Sequence, residues 1–321
     1  MRADVLIFVL IAALIAGFGA PAAAGPFEDG LVAYGKGDYA TALKHWRPLA
    51  EQGRADAQSS LGWMYAKGEG VARDDVEAAR WYRRAAEQGH AEAQYYLGSM
   101  CNDGVGVPES HSEAEMWYRR AAEQGLARAQ YNLGVMVRTD AGVAESDTEA
   151  VKWFQQAAEQ GYAPAQTEVG AAYALGAGVS RNDTEAAKWY REAADQEYPE
   201  AVEWFREQAE RGNAVAQYNL GEMYADGRGL TRSQVDAAIW YRRAAEQGHA
   251  EAQADLGAMY AAGRGVVTDR IQAYAWFDVA AANGVQDAAR RRSLIDRELN
   301  EEQFVEASTL AREYSEKYRA N

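Results

Sequence analysis

The 321-residue chain sets 33 Lys and Arg against 48 Asp and Glu, for a formal net charge of −15 and a pI near 4.8. Nucleic acid and anionic lipid both need a basic footprint, so a surface this acidic argues against either as a partner. The length exceeds what one compact core usually serves, and a single Cys cannot form an internal disulfide, so packing alone must hold the fold.

Met1-Arg-Ala-Asp4 leads into an unbroken apolar run, Val5–Ala16, and then into Pro21-Ala-Ala-Ala-Gly25. A charged start, a short apolar core and an Ala-x-Ala site predict a signal peptide over residues 1–24, cut between Ala24 and Gly25. An uncleaved anchor wants about 20 apolar residues, and Gly17, Gly19 and Pro21 interrupt the run first. The expectation is a periplasmic or secreted protein with no direct membrane insertion after cleavage. No Cys near the cut offers a lipid attachment point.

The stretch Trp81–Gln94, WYRRAAEQGHAEAQ, returns letter for letter at Trp240–Gln253, and its first nine residues also stand at Trp117–Gly125. Trp81 and Trp117 are 36 residues apart. Rows of that length start at Arg54, His90, Leu126, Tyr162, Asn213 and His249. Each opens with A-x-A-Q-x-x-L-G-x-M-Y, whose apolar positions 4, 8, 11 and 12 share one face of a helix, helix A. Gly70, Gly106, Gly142, Gly178, Gly229 and Gly265 then end helix A and reverse the chain. A capping box starts helix B, with Asp74, Ser110, Ser146, Asn182, Ser233 or Asp269 followed three residues on by Glu77, Glu113, Glu149, Glu185, Asp236 or Gln272. Helix B carries an aromatic pair such as Trp81-Tyr82 and a double Ala. Two helices cannot cover so much apolar surface, whereas stacked rows can. The mid-helix glycines Gly62, Gly98, Gly134, Gly170, Gly221 and Gly257 cost about 1 kcal/mol each against Ala, which predicts a close approach by an aromatic ring or a neighbouring backbone.

In chain order, residues 27–53 read as an N-terminal capping repeat and 54–197 as four rows. Residues 198–212 are a partial repeat matching helix B alone, expected to bend the stack. Residues 213–284 are two more rows, and 285–318 a closing helix pair with Asn300 as a cap.

The row with L-G-x-M-Y, G-x-G-V, A-x-x-W-Y and A-A-E-Q-G resembles the Sel-one-like repeat, a relative of the tetratricopeptide repeat, over nearly all of the chain after the leader. That resemblance implies an all-α, right-handed α-solenoid of antiparallel helix pairs acting as a scaffold or adaptor, often in bacterial envelopes. It also implies that helix A lines a concave side, where row positions 6, 7, 10 and 14 vary. Trp63, Tyr95, Tyr96, Asn132, Asn219 and Glu222 are the expected partner-binding residues there, suited to gripping a protein or extended peptide. Tyr131 and Tyr218 share the column of Tyr95 and serve equally well as packing between rows.

No catalytic, cofactor or metal site is expected. His45, His90, His111 and His249 are scattered without metal-ligand spacing, and the glycine turns lack the Lys-Ser/Thr of a phosphate loop. Cys101 stands in a column of tyrosines and reads as a buried small hydrophobe. The Glu of each A-E-Q-G stop reads as an i, i+4 partner for Arg83, Arg119 or Arg242. Two other readings remain: a cell-wall-acting or β-lactam-hydrolysing enzyme, weakened by the single Cys, and a secreted effector that binds host proteins.

Overall fold

The computed structural model describes residues 25–141 and 144–318, so the expected leader at 1–24 and the turn glycine Gly142 lie outside the described residues. Those described form seventeen α-helices and no strand. The first two are α1 (Pro26–Gly35) and α2 (Tyr39–Glu51). Four helix A/helix B pairs follow: α3 (Ala55–Lys67) with α4 (Asp75–Glu87), α5 (Ala91–Asp103) with α6 (His111–Glu123), α7 (Ala127–Ala141) with α8 (Ala144–Glu159), and α9 (Ala163–Leu175) with α10 (Asp183–Ala194). A lone helix, α11 (Pro199–Glu210), precedes two further pairs, α12 (Ala214–Asp226) with α13 (Gln234–Ala245) and α14 (Ala250–Ala262) with α15 (Arg270–Ala282). Finally come α16 (Ala288–Asp296) and α17 (Glu301–Tyr318). The chain divides into two compact units, Met1–Ala157 and Ala158–Asn321, with the boundary inside α8. From α1 to α7 and from α9 to α16 each helix packs on its neighbour in sequence, and α17 packs on α15.

Helix A ends one glycine earlier than the turn motif implied. Gly68, Gly104, Gly176, Gly227 and Gly263 are its left-handed C-caps, and each donates its N–H to the Met or Ala carbonyl four residues back. Row three has Asp140 at this position and α7 runs on to Ala141. The second glycine is there for proximity: a Cβ on Gly106 would fall on the Asp75 carbonyl at the start of the previous helix B. Five of the six capping residues accept an N–H from the first turn of helix B; Asp74, for example, takes that of Glu77 at 3.0 Å. The sixth, Ser146, lies inside α8, which begins at Ala144.

The mid-helix glycines face rings. A Cβ added to Gly62, Gly98, Gly134, Gly170, Gly221 or Gly257 would lie 2.6–3.0 Å from Tyr82, Tyr118, Phe154, Tyr190, Tyr241 or Phe277 of its own row. That second aromatic is buried in all six rows, at 1–6 % exposure. The indoles are more peripheral. Trp81, Trp117 and Trp276 are buried while Trp153, Trp189 and Trp240 are half-buried. The second Arg of W-Y-R-R covers the ring, as Arg84 does Trp81 at 4.5 Å and Arg243 does Trp240 at 4.5 Å.

The Gln of A-x-A-Q is buried in all six rows and fastens each to its neighbours. Gln94 donates to the Ala86 carbonyl of the preceding helix B (3.0 Å) and accepts from Gln124 at the end of its own helix B (2.7 Å). Gln58, Gln217 and Gln253 repeat the pattern, the last with Asn283 as its donor.

The partial repeat does two jobs. Its opening lines up with helix A: Ala201 and Phe205 are fully buried, like Ala93 and Leu97, and Trp204 stacks on Tyr190 (4.0 Å, 14°) as Tyr96 stacks on Tyr82 (5.2 Å, 27°). Its end behaves as helix B, with the Ala209 carbonyl receiving Gln217 at 3.0 Å. The helix B reading therefore accounts for its second half alone. Glu197, where other rows have glycine, adopts φ 60°, the left-handed region. At the far end, Asn300 caps α17 through a reciprocal box with Gln303, and Tyr314 and Tyr318 cover Trp276 at 4.5 and 5.6 Å.

Candidate partner-binding face

In the first unit the variable helix A positions form one connected aromatic surface. Trp63 on α3 donates its Nε1–H to the Tyr34 hydroxyl (2.6 Å), and Tyr34 in turn donates to Glu69. Burial and this carboxylate push the Tyr34 phenol well above its ordinary range. Across the row boundary Trp63 meets Tyr96 on α5 at 5.5 Å, and Tyr95 stands edge-on to Tyr96 at 5.3 Å and 5.8 Å from Tyr118. Asn132 on α7 and Ser99 lie beside the Tyr118 hydroxyl and lower its pKa, against burial, which pushes it up to about 12. Arg128 lies over Tyr95 and Tyr96 at 4.8 and 5.6 Å while pairing with Glu92. Trp63, Tyr95, Tyr96 and Asn132 are all half-buried: each packs against a neighbour and still shows a face to solvent.

The second unit treats its candidates differently. Asn219 is only 6 % exposed and donates to the Val215 carbonyl of its own helix at 2.8 Å, so its amide is spent within the fold. Glu222 is half-buried against Arg191, and desolvation raises its pKa above the usual carboxylate range. Tyr218 donates to Asp255 (3.3 Å) and stacks on His249 at 4.5 Å.

The expected i, i+4 pairs at the A-E-Q-G stops do not form. Arg83 reaches Glu113 in the next row (2.7 Å) and Arg119 takes Glu115 and Glu149. Arg242 donates to the Tyr260 hydroxyl, as Arg47 does to Tyr65. Where Cys101 replaces that tyrosine its small side chain leaves Arg83 free to reach the carboxylate. The thiol is fully buried and its pKa is pushed up to about 11, chiefly by burial and then by Glu113. His90 and His249 are N-caps, their Nδ1 accepting the Ala93 and Ala252 N–H groups at 3.2 and 3.3 Å. Sequence reasoning missed Tyr34, Glu69 and Arg128. Arg128 had left a signal, since it stands one full row after Glu92 with the opposite charge.

Among the described residues no group of three or more His, Cys, Asp or Glu could hold a metal ion. No helix there is long and apolar enough to cross a membrane. What these surfaces offer is area, ring faces and amides.

The architecture is that of an α-solenoid built from antiparallel helix pairs. Its family follows from the repeats: the Sel1 repeat profile matches residues 25–53, 55–90, 91–126, 127–162, 163–198, 196–213, 214–249 and 250–285. The chain belongs to the Sel1-repeat family. Among solved structures it is similar to c5321, a protective antigen of uropathogenic Escherichia coli strains with the same fold, at 33% identity over 98% of this chain and 72% of that one (TM-score 0.50). It is similar also to a Sel1 repeat protein from Oxalobacter formigenes, at 34% identity over 80% of this chain and 99% of that one (TM-score 0.51). No curated protein matches. Sel1-repeat solenoids generally serve as non-catalytic scaffolds for protein–protein interaction.

Proposed function

We propose that this chain is an exported scaffold that holds a protein partner, in an envelope-associated complex, by an extended segment laid along the helix A face of its first unit. The carrying observation is the unbroken run Trp63–Tyr96–Tyr95–Tyr118, crossed by Arg128 and flanked by Asn132. Rings already held by their neighbours lose little entropy on binding, and an amide beside them suits a peptide backbone. Similarity to a protective antigen fits a product placed outside the cytoplasm.

The test is capture from envelope extract by the chain beginning at Gly25, against a Trp63→Ala/Asn132→Ala variant matched to it by circular dichroism. A partner held by wild type and lost by the variant is expected; equal recovery refutes the site. Sequencing the amino terminus of the exported protein should start at Gly25, and a retained Met1 refutes the leader reading.

A further inference from the structure

Row four and the lone helix leave a space that row one fills. In the first unit Trp63, at row position 10, extends to Tyr96 of the next helix A. Row four has Ala171 at that position, and α11 supplies Trp204 in place of Tyr96. The result is an open groove of about 370 Å³ between α9, α10 and α11, with Ala171, Leu175, Tyr190 and Trp204 as its apolar lining. Its volume lies in the range of about 300–1,000 Å³ typical of ligand sites. Leu175 is the second anomaly. Row position 14 is Lys67, Asp103, Thr139, Asp226 or the small Ala262 elsewhere, whereas the large Leu175 is 79 % exposed at the groove.

The charges around it select an occupant. Arg181 is bound twice by Asp183 (3.0 and 3.1 Å) and Arg211 pairs with Glu207 (3.6 Å), so the groove's own cations are already matched. From Arg181 to Arg211 the chain carries nine Asp and Glu against five Arg and Lys. No Lys or Arg stands at row positions 6, 7, 10 or 14 of α9, α12 or α14, where Glu168, Glu222, Asp226 and Asp255 do. An anionic ligand meets excess negative potential; a basic one is drawn in.

We propose that this groove docks a basic amphipathic helix of a partner protein, its aliphatic stripe on Leu175 and Trp204 and its Lys/Arg flanks toward the surrounding carboxylates. Helical walls, with the apolar Leu175 and Trp204 set among charged side chains, suit an amphipathic helix with anchors spaced i, i+3, i+7. The proposal rests on the reading of the chain as a protein-binding scaffold, and adds a second contact with defined chemistry.

The probe is a fluorescein-labelled synthetic helix with Leu at i, i+3, i+4 and i+7 and Lys elsewhere, followed by anisotropy at about 0.15 M salt. Its controls carry Glu for Lys, or Ser for Leu. Leu175→Gln changes only an exposed side chain, so the fold is kept. The expected result is binding weakened about tenfold by Leu175→Gln and by the Ser stripe, absent with the Glu helix, and unchanged by Trp63→Ala/Asn132→Ala. Equal binding to Leu175→Gln shows adsorption to an acidic surface and overturns the proposal, as does failure of the Lys helix to bind. Those failures leave the first-unit capture experiment untouched, so the two readings fall separately.

Discussion

Replacing Gly62 with Ala sets two opposed effects against each other, and the structure decides the sign. Ala is favoured over Gly inside a helix by about 0.8–1.0 kcal/mol. The new Cβ, however, would stand 2.7, 2.8 and 2.9 Å from Cδ1, Cε1 and Cγ of Tyr82. Optimal carbon–carbon contact is about 3.5–4.0 Å, so the ring must retreat by roughly 0.7 Å or more. It has nowhere easy to go: Tyr82 is 2 % exposed and stacked on Tyr96 at 5.2 Å. Overpacking of this kind costs about 1–3 kcal/mol, which leaves Gly62→Ala destabilising by about 1 kcal/mol. The decisive measurement is a double-mutant cycle in urea, followed by circular dichroism. With Tyr82→Ala in the background the obstacle is gone, and the same Gly62→Ala change should become stabilising by about 1 kcal/mol. Gly134→Ala beside Phe154 (2.7 Å) should follow Gly62, and Gly257→Ala beside Phe277 (3.0 Å) should be mildest. If Gly62→Ala stabilises the otherwise native chain, the ring is not what holds the glycine in place.

Acid should weaken the histidine caps. Burial pushes the imidazoles of His90 and His249 below their ordinary pKa, against an opposing pull from Glu92 and Asp56 on the first and Glu251 on the second. The fold thus prefers the neutral rings, and the stability this contributes is present above about pH 6.5 and is lost as pH falls below it. His90→Asn, copying Asn213 in the same column, should keep the cap and flatten the pH dependence of the urea midpoint between about pH 7 and 5.5; an unchanged slope contradicts the assignment. Cys101 should resist iodoacetamide at pH 8 in the folded chain and react on unfolding, since its thiol is buried with its pKa pushed up to about 11. Rapid labelling of the native protein counts against that burial.

The period, the helix pairs and the caps were legible because each rests on a local rule repeated six times, so chance coincidences average out. What escaped notice depends on distance in space. Arg83 and Arg242 have carboxylates four residues away on their own helices, yet they reach across rows to Glu113 and Tyr260, where the partner is less exposed. Row three hid its longer helices in one substitution, Asp140 where other rows cap with glycine. The lone helix misled because its first half spells helix A and its second half helix B, and only the Tyr190–Trp204 stack separates the two. Of the candidate face, Trp63, Tyr95, Tyr96 and Asn132 were proposed by asking which columns vary. The same question selected Asn219, whose short side chain turns back onto the Val215 carbonyl.

The glutamine column recurs in every row, so variation could not reveal it, and hydrophobic patterning passed over it because it is polar. Gln94 is 3 % exposed and joins three helices, as donor to the Ala86 carbonyl ending α4 and as acceptor from Gln124 ending α6. Leu is close in volume and more apolar, so burial alone would make Gln94→Leu stabilising. The hydrogen-bond argument gives the opposite sign. The Ala86 carbonyl loses this donor while keeping the Gly89 N–H at 3.0 Å, and the Gln124 amide loses its buried acceptor while keeping the Arg120 carbonyl at 3.3 Å. A hydrogen bond contributes about 0.5–1.5 kcal/mol net, so losing two costs about 2 kcal/mol, which exceeds the gain from a side chain of similar volume and predicts a net loss of about 1 kcal/mol. Gln94→Glu should be worse, because a carboxylate cannot donate to the Ala86 carbonyl and its charge would be buried. Urea titration of the three chains settles the order. If Gln94→Leu matches or exceeds the native midpoint, the rows are held together by apolar packing, and the glutamines are passengers within it.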